Sequence, residues 1–175
     1  MISLHQSQGR SAQRTIMTNH WLMKSELDVY PWSQLQIDGW THWDGVRNYQ
    51  ARNMMRDDMK VGDMVMFYHS NCKPPHVAGI ARVRREGYPD FTSWDAKSKY
   101  YDEKSSPDNP RWFMVDIEPV LSFDSIVDLP SMRGEVNLED MPLLRKGQRL
   151  SVQPVPEEHF EHILRMAGHT MEDVE

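Results

Sequence analysis

Residues 43–58 contain three aspartates, a glycine, three arginines and several apolar residues, and they predict one helix. Asp44 can cap this helix, and Gly45 allows a sharp entry into it. At a helical period, one face carries Arg47 together with the apolar residues Ala51, Met54 and Met55. An arginine on an apolar face is costly unless it is paired or lines a pocket. Two interpretations follow: a guanidinium placed for a phosphate or a base edge, or a side chain that snorkels to water.

Polar side chains cluster at the ends of predicted strands. They are Lys24, Ser25 and Glu26, then His69, Ser70 and Asn71, and finally Gln148 and Ser151. Apolar strands that end in hydrogen-bonding side chains can build a pocket at the rim of a sheet. Trp21, Trp43 and Trp112 lie in neighbouring motifs, and aromatic faces stack on flat ligands such as nucleobases. The alternative is ordinary end-capping around core tryptophans.

One short segment is compatible with an enzyme instead. His69, Cys72 and His76 can be interpreted as metal ligands or as a Cys–His pair. Zinc needs four ligands, or three and a water, and a catalytic cysteine needs a base and an orienting group. The sequence offers no second ligand cluster nearby, no Gly-x-Ser-x-Gly elbow and no glycine-rich phosphate loop. We therefore predict no catalytic residue, no metal site and no cofactor, and we interpret Cys72 as a loop thiol.

The composition limits the classes of partner that the protein can bind. The net charge of −6 argues against a protein that coats nucleic acid non-specifically, so such a partner requires a local basic patch and a specific pocket. No run approaches the roughly 18 apolar residues of a membrane helix, and we predict no membrane partner. The single cysteine excludes an internal disulfide and favours a reducing compartment. We expect a cytoplasmic location in a bacterium or a nuclear one in a eukaryote.

The hydrophobic pattern predicts a mixed α+β domain around a curved or closed sheet. A helix is predicted from Pro31 to just before Gly39, and a last helix from Pro156. Residues 88–109 form a long polar loop, a type that is often functional. Strands are predicted at 21–24, 64–69, 76–84, 111–117 (closed by Pro119) and 148–153, and helical turns at 125–129 and 138–144.

The domain boundaries follow from composition. Residues 1–19 are polar, lack the apolar segment of a secretory signal and predict a disordered or mis-started tail. Residues 20–168 predict one domain, and residues 169–175 a polar C-terminal tail.

Five segments of the chain closely resemble the EVE domain, in the order of that family. The most specific is Trp-Asp-Gly-Val-Arg-Asn-Tyr-Gln-Ala-Arg-Asn at 43–53. The others are Trp-Leu-Met-Lys-Ser-Glu at 21–26, Phe-Tyr-His-Ser-Asn at 67–71, Pro-Arg-Trp-Phe at 110–113 and Gln-Arg-Leu-Ser-Val-Gln-Pro at 148–154. One departure is Leu27, where the family often has proline.

The resemblance implies a fold of the PUA-like superfamily, a small curved or closed β-barrel surrounded by short helices and related to the YTH readers of methylated RNA. It also implies a module that takes a modified base into a pocket, with modified cytosine favoured and DNA favoured over RNA. Three alternatives stay open: a small-molecule-binding module, a module that recruits an effector protein, and a hydrolase that uses Cys72 and His69.

The resemblance also assigns residues. The implied base-pocket residues are Trp21, Lys24, Ser25, Glu26, Trp43, Asn48, Tyr68, His69, Ser70, Trp112, Gln148 and Ser151. The residues implied to hold phosphates or brace the pocket are Arg47, Arg52, Arg111 and Arg149.

Overall fold

The computed structural model describes residues 17–175, so most of the predicted N-terminal tail lies outside the described residues. The strands are β1 (His20–Glu26), β2 (Thr41–His42), β3 (Met64–Ser70), β4 (His76–Pro89), β5 (Phe113–Asp128) and β6 (Val152–Pro154). The α-helices are α1 (Trp32–Asp38), α2 (Tyr49–Asn53), α3 (Leu129–Arg133) and α4 (Glu157–Met166). A π-helical turn, Met54–Asp58, extends α2, and 3₁₀ turns occupy Phe91–Trp94, Val136–Leu138, Pro142–Leu144 and Met171–Asp173.

The six strands form one mixed sheet in the order β2-β5-β4-β3-β1-β6. β1 and β3 are parallel, and every other neighbouring pair is antiparallel. The mixed α+β prediction is confirmed. Within residues 17–175 the edge strands β2 and β6 do not pair with each other, so hydrogen bonds do not close the sheet into the predicted barrel.

Both faces of the sheet are buried, which explains why the central strands are almost continuously apolar. Alternate residues of β3 enter different cores: Val65 and Phe67 belong to one, Met64 and Met66 to the other. The first core also contains the buried residues of α1 and α2, and the second those of α4. Within the described chain, no helix is long and apolar enough to cross a membrane.

Several predicted elements are present. The predicted strands at 21–24 and 64–69 lie within β1 and β3, and β3 pairs with β4 antiparallel as expected. Helix α1 ends at Gly39, which has the left-handed φ of +75° typical of a C-cap glycine. Helix α4 begins after Pro156 and buries Phe160, Ile163 and Leu164.

Three local predictions are wrong. Strand β5 does not end at Pro119, because a register shift between Ile80 and Ala81 of the neighbouring strand accommodates the missing N–H, and the strand continues to Asp128. Residues 125–128 are therefore strand rather than a helical turn. The last strand is shorter than predicted and begins at Val152.

The helix predicted to start near Asp44 starts later. Asn48 is its N-cap, and the Asn48 side chain accepts a hydrogen bond from the Ala51 N–H. Asp44 is therefore not the cap, and Arg47 precedes the helix instead of sharing its apolar face. Asn provides the same capping oxygen as Asp, so the start could not be fixed from residue type alone.

Candidate functional site

A cavity of about 600 Å³ opens beside the ends of β1 and β2. Six predicted site residues line it: Lys24, Ser25, Glu26, Trp43, Arg47 and Ser151. Nine further lining residues were not predicted: Val29, Tyr30, Thr41, His42, Asp44, Gly45, Val46, Lys99 and Tyr100. The cavity therefore combines aromatic rings with carboxylates, amines and hydroxyls.

The end of β1 supplies one wall. The backbone N–H of Lys24 donates to the Ser151 carbonyl at 2.9 Å, and its ammonium donates to the Gln148 carbonyl at 3.3 Å. Burial lowers the pKa of Lys24. The Ser25 hydroxyl donates to the Tyr30 carbonyl at 2.7 Å, so it fixes the next wall and keeps lone pairs to accept from a ligand.

Aromatic rings form the other walls. Trp43 is only 8% exposed, and its ring meets Phe67 edge-on with 5.5 Å between centroids. The Tyr30 hydroxyl donates to Asp38 at 2.7 Å, and burial together with Asp38 raises the pKa of Tyr30 to about 12. These rings are held by the fold and do not need to reorganise to contact a flat ligand.

Tyr100 comes from the long polar loop and packs over Gly45. Gly45 has a φ of +79°, and a Cβ there would lie 2.5 Å from the Tyr100 ring. The glycine therefore serves both the backbone turn and the close approach of the ring. This contact joins the 43–47 segment to a residue more than fifty positions away along the chain.

Asp90, which does not line the cavity, holds two lining residues, Gly45 and Arg47, in place. Asp90 is fully buried and accepts from the Gly45 N–H and from Arg47, each at 2.9 Å, and from the Thr92 N–H at 2.9 Å. Burial by itself raises the pKa of Asp90, but these hydrogen bonds outweigh it, and the pKa is lowered. Asp90 therefore remains a buried carboxylate.

The guanidinium of Arg47 is fully engaged. Besides Asp90, it donates to the carbonyls of Val46 and Tyr100 and to the Thr92 hydroxyl. These contacts engage all three guanidinium nitrogens, leaving little capacity for a phosphate. The geometry favours the bracing role for Arg47, and the snorkelling interpretation does not describe it.

Asp44 contributes a half-buried carboxylate to the cavity. Burial raises its pKa, and the nearby charges of His42 and Arg47 oppose that shift. A carboxylate in this position accepts hydrogen bonds from amino groups. With Glu26, it gives the cavity two carboxylate acceptors in addition to the ammonium groups of Lys24 and Lys99.

Several predicted pocket residues lie outside the cavity lining. Trp21 is in the core and donates to Asp63 at 2.9 Å, and Trp112 is buried and donates to Asp102 at 2.7 Å. Asn48 caps α2. Gln148 reaches the cavity only through its carbonyl, which holds Lys24.

The predicted residues at the end of β3 also lie apart from the cavity lining. Tyr68 is buried in the second core, where burial raises its pKa to about 12. His69 is 2% exposed and accepts from the Trp32 N–H at 3.2 Å, and burial lowers its pKa. Ser70 ends the strand half-buried.

The remaining predicted arginines lie outside the cavity. Arg52 and Arg111 come together beside Trp112, where Arg52 donates to the Arg111 carbonyl at 2.8 Å. Arg149 is exposed, and its side chain has no hydrogen bond within residues 17–175.

The Cys72 segment is also separate from the cavity. The Cys72 sulfur lies 3.8 Å from His76 Nδ1, and burial raises the pKa of the thiol. A raised pKa disfavours the thiolate that acts as a nucleophile. In the described part of the chain, no three His, Cys, Asp or Glu side chains converge as a metal site.

Four of the unpredicted lining residues come from segments without periodicity. Thr41 and His42 form a two-residue strand, and Lys99 and Tyr100 lie in the long loop. The only sequence signal for the loop was its length and polarity, which indicated function but no particular residue.

The sequence model of the EVE domain family matches residues 19–166 of this chain. The chain belongs to the EVE domain family. Human thymocyte nuclear protein 1 is 38% identical over 173 residues, which covers 86% of this chain and 74% of that protein. The zebrafish protein of the same name is 46% identical over 132 residues, which covers 71% of this chain and 56% of that protein.

Two of the solved structures that resemble this chain contain nucleic acid bound to the neighbour protein. Human THYN1 protein in complex with 5-methylcytosine-containing DNA has a TM-score of 0.80 at 37% identity, covering 86% of this chain and 98% of that one. The YTH domain of Zygosaccharomyces rouxii MRB1, in complex with N6-methyladenosine RNA, has a TM-score of 0.52 at 11% identity, covering 89% and 90%. The second likeness concerns the fold alone.

Proposed function

We propose that this EVE domain binds nucleic acid that carries a modified base, with modified cytosine in DNA as the preferred class, and that the base enters the 600 Å³ cavity. The observation that carries the proposal is the lining, in which aromatic rings stand beside paired acceptors and donors. The likeness to the human protein bound to methylcytosine DNA supports the same ligand class.

The lining chemistry suits a cytosine. Stacking of a base on an aromatic ring contributes about 1–3 kcal/mol, and Trp43 and Tyr100 offer such rings. A carboxylate accepts from the exocyclic amino group of cytosine, the role we assign to Asp44. Lys24 can donate to the ring nitrogen or the carbonyl, which lie beside the amino group on the same edge of the base.

We further propose bracing for Arg47, and phosphate contact or bracing for Arg52, Arg111 and Arg149. A recruited effector protein and a cytoplasmic or nuclear location remain predictions. The domain limits of 20–168 belong to the same proposal and are supported by the match of the EVE family to residues 19–166. So does the PUA-like description of a curved sheet surrounded by short helices, which the fold likeness to a YTH domain supports.

We also propose that this is a binding module rather than an enzyme. The structure of the human relative shows that protein in complex with DNA. The Cys72 thiol contacts the His69 backbone carbonyl and His76 Nδ1, whereas His69 Nε2 accepts from the Trp32 N–H. Burial raises the pKa of the thiol. That arrangement does not favour the alternative of a hydrolase.

The test is thermal stabilisation by oligonucleotides with one central cytosine, 5-methylcytosine or 5-hydroxymethylcytosine, in single-stranded and duplex form, with methyladenine RNA as comparison. A ligand at one hundred times its Kd stabilises the protein by about 2.7 kcal/mol. For a chain of this size, that raises Tm by roughly 5–10 °C. We expect this shift for one modified cytosine and a smaller one for plain cytosine.

The variant Asp44→Leu fills similar space without an acceptor. It should weaken binding of the modified strand at least about tenfold, the effect of losing a hydrogen bond to a charged group. Asp124→Leu changes the same residue type at an exposed position of β5 and is the matched control. Equal shifts for all bases, or full binding by Asp44→Leu, would contradict the assignment of this cavity.

A further inference from the structure

Exposed aromatic side chains are concentrated around the cavity. Within residues 17–175 the exposed aromatic residues are Trp40, Tyr49, Phe91 and Tyr101. Trp40 and Tyr101 are chain neighbours of lining residues, and Phe91 contacts the lining residue His42. Single exposed apolar residues are ordinary, whereas their concentration in one place marks an interaction site.

Phe91 is the exposed ring with a defined contact to the cavity wall. It is 46% exposed, and its ring meets that of His42 at an angle of 66° with 5.3 Å between centroids. The charge of His42 acts on Asp44, the residue to which we assign the amino group of cytosine. Phe91 does not itself line the cavity. The Phe91 ring therefore lies directly outside the space that we assign to the base.

The backbone of Phe91 is held firmly. Phe91 opens a 3₁₀ turn directly after the fully buried Asp90. The Asp90 N–H donates to the Trp112 carbonyl at 2.9 Å, and the N–H and hydroxyl of Thr92 donate to the Asp90 carboxylate. The same carboxylate holds two lining residues of the cavity. A ring on a backbone fixed in this way loses little conformational freedom when it contacts a ligand.

A nucleobase is the ligand that this position fits. A base that leaves its stack to enter a pocket deprives the neighbouring base of a stacking partner. That neighbour is one nucleotide away, so it must lie close to the opening of the pocket. An aromatic ring at the opening can replace the lost stacking contact, and it accepts any base because every base has a π-face.

We propose that Phe91, supported by His42, stacks on the base next to the modified base of the bound strand. This inference rests on the proposed function and adds the neighbouring nucleotide to the ligand. The contact should require a base at that position but depend little on which base it is. A protein partner that docks on the same ring would show no such requirement.

The experiment compares strands with and without neighbouring bases. Single strands with one 5-methylcytosine carry either thymines or abasic residues on both sides of it, and binding is followed by fluorescence anisotropy. Phe91→Ala should weaken binding of the thymine-flanked strand at least about fivefold, the lower limit for one base–aromatic stack. Abasic flanks should weaken wild-type binding by a similar factor and remove the difference between wild type and Phe91→Ala.

Two further variants and a second ligand serve as controls. Phe91→Trp keeps an aromatic ring and should retain the dependence on flanking bases. Ile126→Ala removes an apolar side chain of the same 46% exposure from β5, outside the cavity lining, and should behave as wild type. Free 5-methyl-2′-deoxycytidine, measured by calorimetry, should bind Phe91→Ala and wild type equally. Melting curves verify that each variant is folded.

The outcomes are distinguishable. Equal affinity of Phe91→Ala and wild type for the thymine-flanked strand overturns the stacking subsite. An equal loss on the abasic-flanked strand also overturns it, because the ring would then act through the fold rather than through a base. If wild type binds no nucleoside and treats all cytosines alike, the cavity proposal fails. A flank-dependent loss in Phe91→Ala under those conditions would still support the stacking subsite.

Discussion

The substitution Asp90→Asn tests how the cavity is held. Oδ2 of Asp90 accepts from the Gly45 N–H and Arg47, and Oδ1 accepts from the Thr92 N–H and hydroxyl. An asparagine has the same shape but one oxygen fewer. Whichever way its amide is turned, an NH₂ group faces at least one buried N–H donor.

The magnitude follows from the less costly orientation, with the amide nitrogen toward Thr92. The Thr92 hydroxyl can rotate, but its N–H loses its acceptor, which costs about 1–3 kcal/mol. Arg47 keeps a hydrogen bond but loses its counter-charge, and because that side chain is 23% exposed the loss is about 1 kcal/mol. We expect a total destabilisation of about 3 kcal/mol.

The assay is urea unfolding followed by tryptophan fluorescence. With a slope near 2 kcal/mol per molar, the midpoint should fall by about 1.5 M. Asp124→Asn, at an exposed site, should leave it unchanged. The lowered pKa of Asp90 makes its contribution complete above about pH 4, and the contribution is lost as pH falls through the folded-state value. A loss below about 1 kcal/mol at pH 7 would refute the reasoning.

Two other predictions concern backbone and protonation. Gly45→Ala adds left-handed backbone strain of about 1–2 kcal/mol and displaces Tyr100, so it should lower both stability and cavity binding. Gly39→Ala, at a φ of +75° with open space around it, should show the backbone strain alone. Equal losses of stability in urea unfolding would contradict this account. Burial lowers the pKa of His20, so the unfolded chain takes up its proton first. Stability should therefore fall as pH drops below about 6.5, and His20→Phe should flatten that fall in unfolding curves measured between pH 7.5 and 5.5; an equally steep fall in the variant would show that His20 is not its cause.

The strands β1 and β3 and the last helix, α4, could be predicted from the sequence because runs of apolar residues indicate buried elements. Residues 64–68 carry apolar or aromatic side chains on both faces, and the sheet buries both. The apolar stripe of α4 also predicted its buried face correctly. The sequence predicted that β5 ends at Pro119 because a proline has no N–H to donate. Only the structure shows the register shift in the neighbouring strand that accommodates the proline.

The site was predicted in part for a similar reason. Lys24, Ser25 and Glu26 follow β1 directly, so the motif that marks the strand also marks the cavity rim. Asp90 and Tyr100 act through contacts with Arg47, which lies 43 and 53 positions away along the chain, from a loop without periodicity. No local pattern connects such residues to their partners.

The long loop explains why Arg47 matters to the cavity although its guanidinium is already fully engaged. Asp90 and the Tyr100 carbonyl fix the position of Arg47, and Arg47 stacks between a cavity wall and Trp112. Asp102 in turn holds both Trp112 and Arg111. The position of the cavity wall relative to Trp112 is therefore set by two carboxylates, Asp90, which is fully buried, and Asp102, which is half-buried. Loss of either carboxylate should move a wall of the cavity even though neither residue lines it.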